Sequence, residues 1–156
     1  MTLPSGESIP VLGQGTWGWG EDPGRRGDEV AALHAGLELG MTLVDAGPGV
    51  VELDMAWQPD FVGDPRTGVL HGGVVSALMD TCCGAAVLVH PSRPATTATI
   101  DLRIDYLRSA TPGQRVRARA ECFHVTRSVA FVRAWAMDED ETRPVASATG
   151  AFTFER

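Results

Sequence analysis

Cysteine is scarce in this chain, with three in 156 residues, and Cys82 and Cys83 are adjacent. Three such thiols do not make a disulfide framework, and no CxxC or Cys/His pair shows zinc-ligand spacing. The four histidines, His34, His71, His90 and His124, are dispersed. These shortages exclude a disulfide-built secreted module and a zinc site. They predict a reduced, cytoplasmic protein. Positive charge is short too: 13 Lys and Arg face 20 Asp and Glu, for a net charge of −7 and a pI near 5.0. That balance argues against nucleic acid and anionic membrane as partners. The opening MTLPSGESIP has neither a basic start nor an apolar stretch, so no secretory signal is expected in it. Repeats and low-complexity tracts are absent.

Long hydrophobic runs are also few. The chief one covers residues 68–89, barely long enough to span a bilayer, and Asp80 stands at its middle, where charge costs most. A buried helix of a globular domain is the better reading. Apolar residues at 44% and charged residues at 21% fit that class, and the length is one ordinary domain's worth.

The rest of the chain divides by turn signals. Residues 1–27 are rich in Gly, Pro and Trp and read as a leader, with the domain proper at 28–156. From Asp28 to Leu39, Val30, Leu33 and Leu37 fit a short amphipathic helix that Gly40 stops. MTLVDA and VVELDMAW form a hairpin around Gly47-Pro48-Gly49, with Val51, Leu53, Met55 and Trp57 alternating against Glu52 and Asp54. QPDFVGDPRTG reads as a loop into the apolar helix. Beyond HPSRP come four strands: ATIDLRIDY, with Ile100, Leu102, Ile104 and Tyr106 on one face; VRARAEC, with Val116, Ala118, Ala120 and Cys122; SVAFVRAWAM; and PVASATGAFTF. TPGQ and DEDETRP supply turns. Two strands, one helix apolar nearly all round, then four antiparallel strands predict an α+β fold whose sheet wraps the helix.

Within the helix, Asp80 is the only charge between His71 and His90. A buried carboxylate costs several kcal/mol, on the order of a lost charge-assisted contact, unless it is compensated. His71 and Asp80 are nine residues apart, which on one helix means about 13.5 Å of rise and about 180° of rotation. They cannot converge on one carbonyl from a single chain.

GVLHGGVVSALMDT, IDLRIDYLRSATPG, TRSVAFVRAWAMDEDE and VASATGAFTF together resemble the hotdog-fold acyl-CoA thioesterases of the phenylacetate-degradation type, over about residues 38–155. The resemblance implies a long central helix wrapped by a curved antiparallel sheet and hydrolysis of acyl- or aryl-acyl-CoA thioesters without metal or bound cofactor, coenzyme A being part of the substrate. It also implies a homodimer or homotetramer in which the HGG turn of one chain meets the helix carboxylate of another. A second resemblance, PSGESIPVLGQGTWGWGED with LELGMTLVDA over residues 4–46, is to the opening βαβ unit of aldo-keto reductases. That pattern stops at Asp45, where AGPG replaces the reductase continuation. A (β/α)8 barrel needs about 250 residues, so a fused remnant without reductase activity is expected.

The thioesterase resemblance assigns roles residue by residue. Asp80 becomes the nucleophile, or the general base for water; a thiolate leaves readily, so one carboxylate suffices. Against that stands a buried Asp capping nearby backbone. The Gly72 N–H, at a helix N-terminus, is the oxyanion donor, with Gly73 beside it where the substrate approaches; a simple turn is the bland alternative. His71 orients this loop or hydrogen-bonds near the thioester rather than acting as base. Asp64 stands where relatives carry an Asn, and either takes a modified role or only starts the turn before Pro65. Thr99 holds the attacking water or is an ordinary strand threonine. Arg108, Ser109, Thr126, Arg127 and Ser128 match segments that contact coenzyme A, Arg being suited to phosphate by its forked charge. Cys82 and Cys83 read as small core residues. Two rival functions use the same fold: an acyl-binding module without hydrolysis, and an enoyl-CoA hydratase or dehydratase, although the helix interior lacks the His that such enzymes pair with their carboxylate.

Overall fold

The computed structural model describes residues 39–92 and 94–155. The leader at 1–27 and all but the last residue of the helix expected from Asp28 lie outside the described residues.

The elements are β1 (Met41–Gly47), β2 (Val50–Met55), a 3-10 turn (Pro59–Phe61), β3 (Val62–Asp64), β4 (Val69–Leu70), α1 (Gly72–Leu88), β5 (Thr96–Tyr106), β6 (Val116–Val125), β7 (Val129–Met137) and β8 (Ala146–Glu155). Six strands make one antiparallel sheet in the order β1-β2-β6-β7-β8-β5, and α1 packs against β2, β5, β6, β7 and β8. The expected order of two strands, one helix and four strands is therefore present.

Side-chain size explains how closely the layers meet. The sheet's inner face is largely alanine: Ala118, Ala120, Ala130, Ala134, Ala136, Ala146 and Ala148 are all buried. Against it the helix turns Val75, Leu78, Met79, Cys82, Cys83, Ala86 and Val87. Small residues on one layer make room for larger ones on the other, which keeps the interior close-packed. Leu78 is fully buried, and cutting it to Ala would cost about 2–5 kcal/mol in lost burial and the cavity left behind.

Two expectations need correction. The loop after Trp57 contains the short β3–β4 hairpin, pairing Val62 with Leu70 and Asp64 with Val69. Gly68, at a φ of 74° that L side chains rarely adopt, closes it, and its carbonyl accepts from Trp57 Nε1 at 3.0 Å. Strands of two and three residues are too short for alternation to reveal.

Secondly, Ile100 does not share a face with Leu102. The β5–β8 register shifts between Thr99 and Asp101, so Ile100 is an inserted residue, 54% exposed. Such a bulge reverses which positions face inward. Thr97 and Thr99 look at the helix before it; Leu102, Ile104 and Tyr106 do so after it. The sheet covers the helix as expected, on one side. Gly73, Thr81 and Leu88 are exposed and Ala77, Asp80 and Gly84 half-buried, a stripe along one face that the sheet of the same chain leaves open.

Candidate active site

Two parts of α1 hold the sequence-predicted residues. At the N-terminus, His71 is the cap, in extended conformation with φ −64° and ψ 133°. Its backbone N–H donates to Phe61 O at 2.8 Å, and Gly63 lies so close that a Cβ there would approach His71 Cα to 2.8 Å. The β3–β4 hairpin thus fixes where the helix begins.

The first turn has a defined set of bonds. Val74 N–H donates to His71 O at 3.0 Å, and Gly73 N–H donates to His71 Nδ1 at 3.0 Å. The Gly72 N–H has no acceptor among the described residues. It is a free donor at the positive end of a helix, the arrangement suited to a developing oxyanion. Because His71 Nδ1 accepts a hydrogen bond, the network assigns the proton of the neutral ring to Nε2. His71 therefore offers an N–H outward, and its remaining lone pair is spent on the cap. This geometry suits a donor and not a base.

Two turns along, Asp80 is half-buried on the open stripe, and Thr99 Oγ1 donates to its Oδ1 at 2.9 Å. Burial pushes the Asp80 carboxyl above its ordinary value, and the Thr99 hydrogen bond pulls partly against that shift. The threonine reaches Asp80 directly, because the β5 bulge turns it toward the helix. The structure thus groups His71, Gly72 and Gly73 at one point of α1, and Asp80 with Thr99 at another. It does not bring His71 and Asp80 together in one chain.

The remaining expected residues fall elsewhere. Asp64 turns its carboxylate onto its own loop, accepting from the Arg66 backbone at 3.0 Å and from the Arg66 guanidinium at 3.3 Å. Its carbonyl also accepts from Thr67 and Gly68. That is a turn-starting residue. Arg108 departs from its expected role as a phosphate ligand. It pairs with both oxygens of Asp138 at 2.6 Å and also donates to Ser109 O and Arg143 O. Those bonds engage the whole guanidinium fork, leaving none for a phosphate. The hydrogen bonds from Arg108, and after them those from Thr111, hold Asp138 well below the usual carboxylate range against the effect of burial.

Ser109, next along, is exposed. Thr126, Arg127 and Ser128 form the β6–β7 turn, where the Thr126 hydroxyl is tied to Val129. Arg127 is exposed and makes no ion pair among the described residues. Sequence reasoning missed Tyr106 as a site neighbour: its hydroxyl donates to Gly72 O at 2.7 Å. Only its place at the end of an inward-facing alternation hinted at this.

Other chemistry finds little support. Cys82 and Cys83 are buried as expected, and Cys82 Sγ–H donates to Val51 O and Ala118 O. Burial raises the Cys82 thiol to about 11 and pushes Cys83 up as well, so neither is a thiolate nucleophile at neutral pH. Among the described residues, no cluster of His, Cys, Asp or Glu could hold a metal ion. No helix among them is long and apolar enough to cross a membrane.

Comparison with known proteins converges on one family. Residues 67–145 match the thioesterase superfamily. The chain is 31% identical over 127 residues to the medium/long-chain acyl-CoA thioesterase YigI of Escherichia coli, covering 73% of this chain and 81% of that one. A mutant structure of the phenylacetic acid degradation protein PaaI from Thermus thermophilus superposes with a TM-score of 0.68 at 28% identity, covering 79% of this chain and 99% of that one. The fold is the hotdog. A separate stretch of 38 residues is 63% identical to methylglyoxal reductase YeaE of Escherichia coli, but it is 24% of this chain and spans only 13% of that enzyme. That is too little for a barrel. On the family match across half its length and on its likeness to YigI, the chain belongs to the thioesterase superfamily and is a thioester hydrolase.

Proposed function

We propose that the chain hydrolyses acyl-CoA thioesters in an active site shared between two copies. The observation that carries this reading is Asp80, a half-buried carboxylate held by Thr99 on the open stripe of the helix. It lies nine residues from the free Gly72 N–H's neighbour His71 on the same helix, so each chain supplies half of two sites. Asp80 of one chain attacks the thioester carbonyl, or takes a proton from the water that does. The Gly72 N–H of the other chain receives the oxyanion, and the His71 Nε2–H lies beside it as a second donor. The tetrahedral intermediate collapses with the C–S bond breaking. Where Asp80 itself attacks, this leaves an acyl anhydride on Asp80, which water then cleaves to free acid and regenerated carboxylate. Coenzyme A leaves as a thiolate, whose conjugate acid resembles that of cysteine, with a pKa of about 8.5. Carboxylate, water and N–H donors suffice, so the reading calls for no cofactor.

Two features support a second copy. The strand β5 is an edge of the sheet, and Ile100 and Leu107, on and just after it, are exposed at 54% and 57%. An open strand edge beside exposed apolar side chains invites pairing. Of the residues expected to meet coenzyme A, Arg127 at the β6–β7 turn is the cation left available for its phosphates, with Ser109 and Ser128 as hydroxyl partners. The reductase-like segment is read as a fused remnant without reductase activity.

A panel of acyl-CoAs tests the function, with release of free thiol followed by a thiol reagent. YigI carries medium/long-chain acyl-CoA in its name, so aliphatic chains of graded length come first, followed by a phenylacetyl thioester. Saturable thiol release is the expected result. Binding without release would favour an acyl-binding module, and hydration of an enoyl-CoA without release would favour a hydratase.

A further inference from the structure

The geometry points to Tyr106 as a positioning residue that holds the oxyanion-binding turn in shape from across the fold. This rests on the reading of Gly72 as the oxyanion donor. Tyr106 is the single tyrosine of the chain and the last residue of β5. Its hydroxyl donates to Gly72 O at 2.7 Å and lies 2.5 Å from Ser76 Oγ. Its ring covers Gly72 so closely that a Cβ there would sit 3.4 Å from Cζ and Oη.

The contact matters because of which peptide planes it fixes. Glycine is the most freely rotating residue, so the two planes flanking Gly72 are the loosest of the turn. In the plane before it, His71 O accepts from Val74 N–H, which leaves the Gly72 N–H aimed away from the helix. The plane after it is held at both ends: Gly73 N–H donates to His71 Nδ1, and Gly72 O accepts from Tyr106 at 2.7 Å and, at a longer 3.3 Å, from the Ser76 hydroxyl one turn on. All of these bonds are local except the one from Tyr106. The N–H groups of a helix's first turn have no internal acceptors to hold them, and Tyr106 adds a bond from a strand to the carbonyl beside them.

The same strand fixes the other half-site. Thr99 holds Asp80, and Tyr106 holds Gly72, so β5 pins both functional points of α1. An oxyanion donor helps only if it is already aimed before charge develops. Loss of the Tyr106 hydroxyl should therefore weaken binding of the transition state more than binding of the substrate.

Tyr106→Phe tests this, since it keeps the ring over Gly72 and removes only the hydroxyl. The expected result is a fall in kcat of about tenfold with KM within about twofold, less than the loss from deleting a donor outright. A trifluoromethyl ketone analogue of acyl-CoA, bound as its alkoxide, should lose affinity by the same factor, and a thioether analogue should keep its own. That ratio is read on folded protein, so it does not depend on the stability of the variant. Ser76→Ala, which leaves the Tyr106–Gly72 bond in place, should stay near the wild-type rate. An unchanged kcat in Tyr106→Phe would overturn the assignment. So would equal losses for both analogues, or a Ser76→Ala defect as large as that of Tyr106→Phe. Gly72→Pro separates this inference from the reading beneath it. If Gly72→Pro is fully active, the oxyanion assignment falls; if Gly72→Pro is inactive while Tyr106→Phe is fully active, only the role of Tyr106 falls.

Discussion

Thr99 and Asp80 are joined by a hydrogen bond of 2.9 Å that runs from strand β5 to the middle of helix α1. The bond exists because a bulge at Ile100 turns Thr99 inward. It answers how a carboxylate can sit in so apolar a helix. Its solvent-facing stripe is only half-covered, and a hydroxyl compensates part of the cost of burial.

Asp80→Asn should lose activity by a factor on the order of 10²–10⁴, while Asn Oδ1 still accepts from Thr99. The same change should stabilise the fold at neutral pH. Because the folded-state pKa of Asp80 is raised, its favourable contribution is fully present below the unfolded value, about 3.9, and is lost as pH rises through the raised one. Removing the charge therefore helps above that window and does nothing below it. Melting temperatures of the two proteins at pH 7 and at pH 3 check this. A variant less stable than wild type at pH 7 would contradict the burial cost assigned to Asp80.

Thr99→Val keeps the shape and removes the donor. The Thr99 hydrogen bond lowers the pKa of Asp80 against the effect of burial, so its loss should drive that pKa further up. If Asp80 acts ionised, the acid limb of kcat/KM then moves to higher pH, and activity at neutral pH falls. A pH profile of both proteins reads the shift directly. An acid limb that stays in place would mean that Asp80 is not the group being titrated.

Arg108 and Arg127 should part ways. Arg108→Met strands Asp138, whose side chain is fully buried, and breaking such a pair costs about 3–5 kcal/mol. The depressed pKa of Asp138 gives the sign: its contribution is present above the unfolded value of about 3.9 and fades as pH falls through the folded one. The Arg108→Met defect should therefore show at neutral pH and shrink in acid. Arg127→Ala should leave the melting temperature unchanged and raise KM for acyl-CoA, with a smaller effect on an acyl-pantetheine lacking the nucleotide phosphates. Equal KM changes for both substrates would remove Arg127 from the phosphate contacts.

The contrast between those arginines shows what a sequence can display. Period-two alternation marked Val116, Ala118, Ala120 and Cys122 as one face, and all four are buried. The nine-residue gap between His71 and Asp80 already showed that they do not converge on one point within a single chain. Alternation fails at Ile100, because a bulge changes parity without any change in composition. Nor does the string of residues tell a free arginine from a paired one. Asp138 lies 30 positions from Arg108, and no local pattern links them. Asp64 is a similar case: Asp before Pro announces a turn, and the bond to Arg66 shows the carboxylate spent on it. Tyr106 was visible as an inward-facing strand residue, but its reach to Gly72, 34 positions away, depends on how β5 lies across the helix.

The shared site makes the last expectation. Asp80→Asn and Gly72→Pro should each be inactive alone, the second because proline carries no N–H. The fold should tolerate proline here. The first position of a helix is favourable for it, and His71, with ψ at 133°, already has the extended conformation that a residue before proline prefers. When the two inactive proteins are mixed under conditions that exchange subunits, one site of each mixed dimer receives both defects and the other receives neither. Random exchange makes about half of the dimers mixed, each with one intact site of two, so roughly a quarter of wild-type activity should return. Exchange itself is followed by mass differences between tagged chains. If exchange is complete and no activity returns, Asp80 and Gly72 do not meet across two chains, and the shared-site mechanism is wrong.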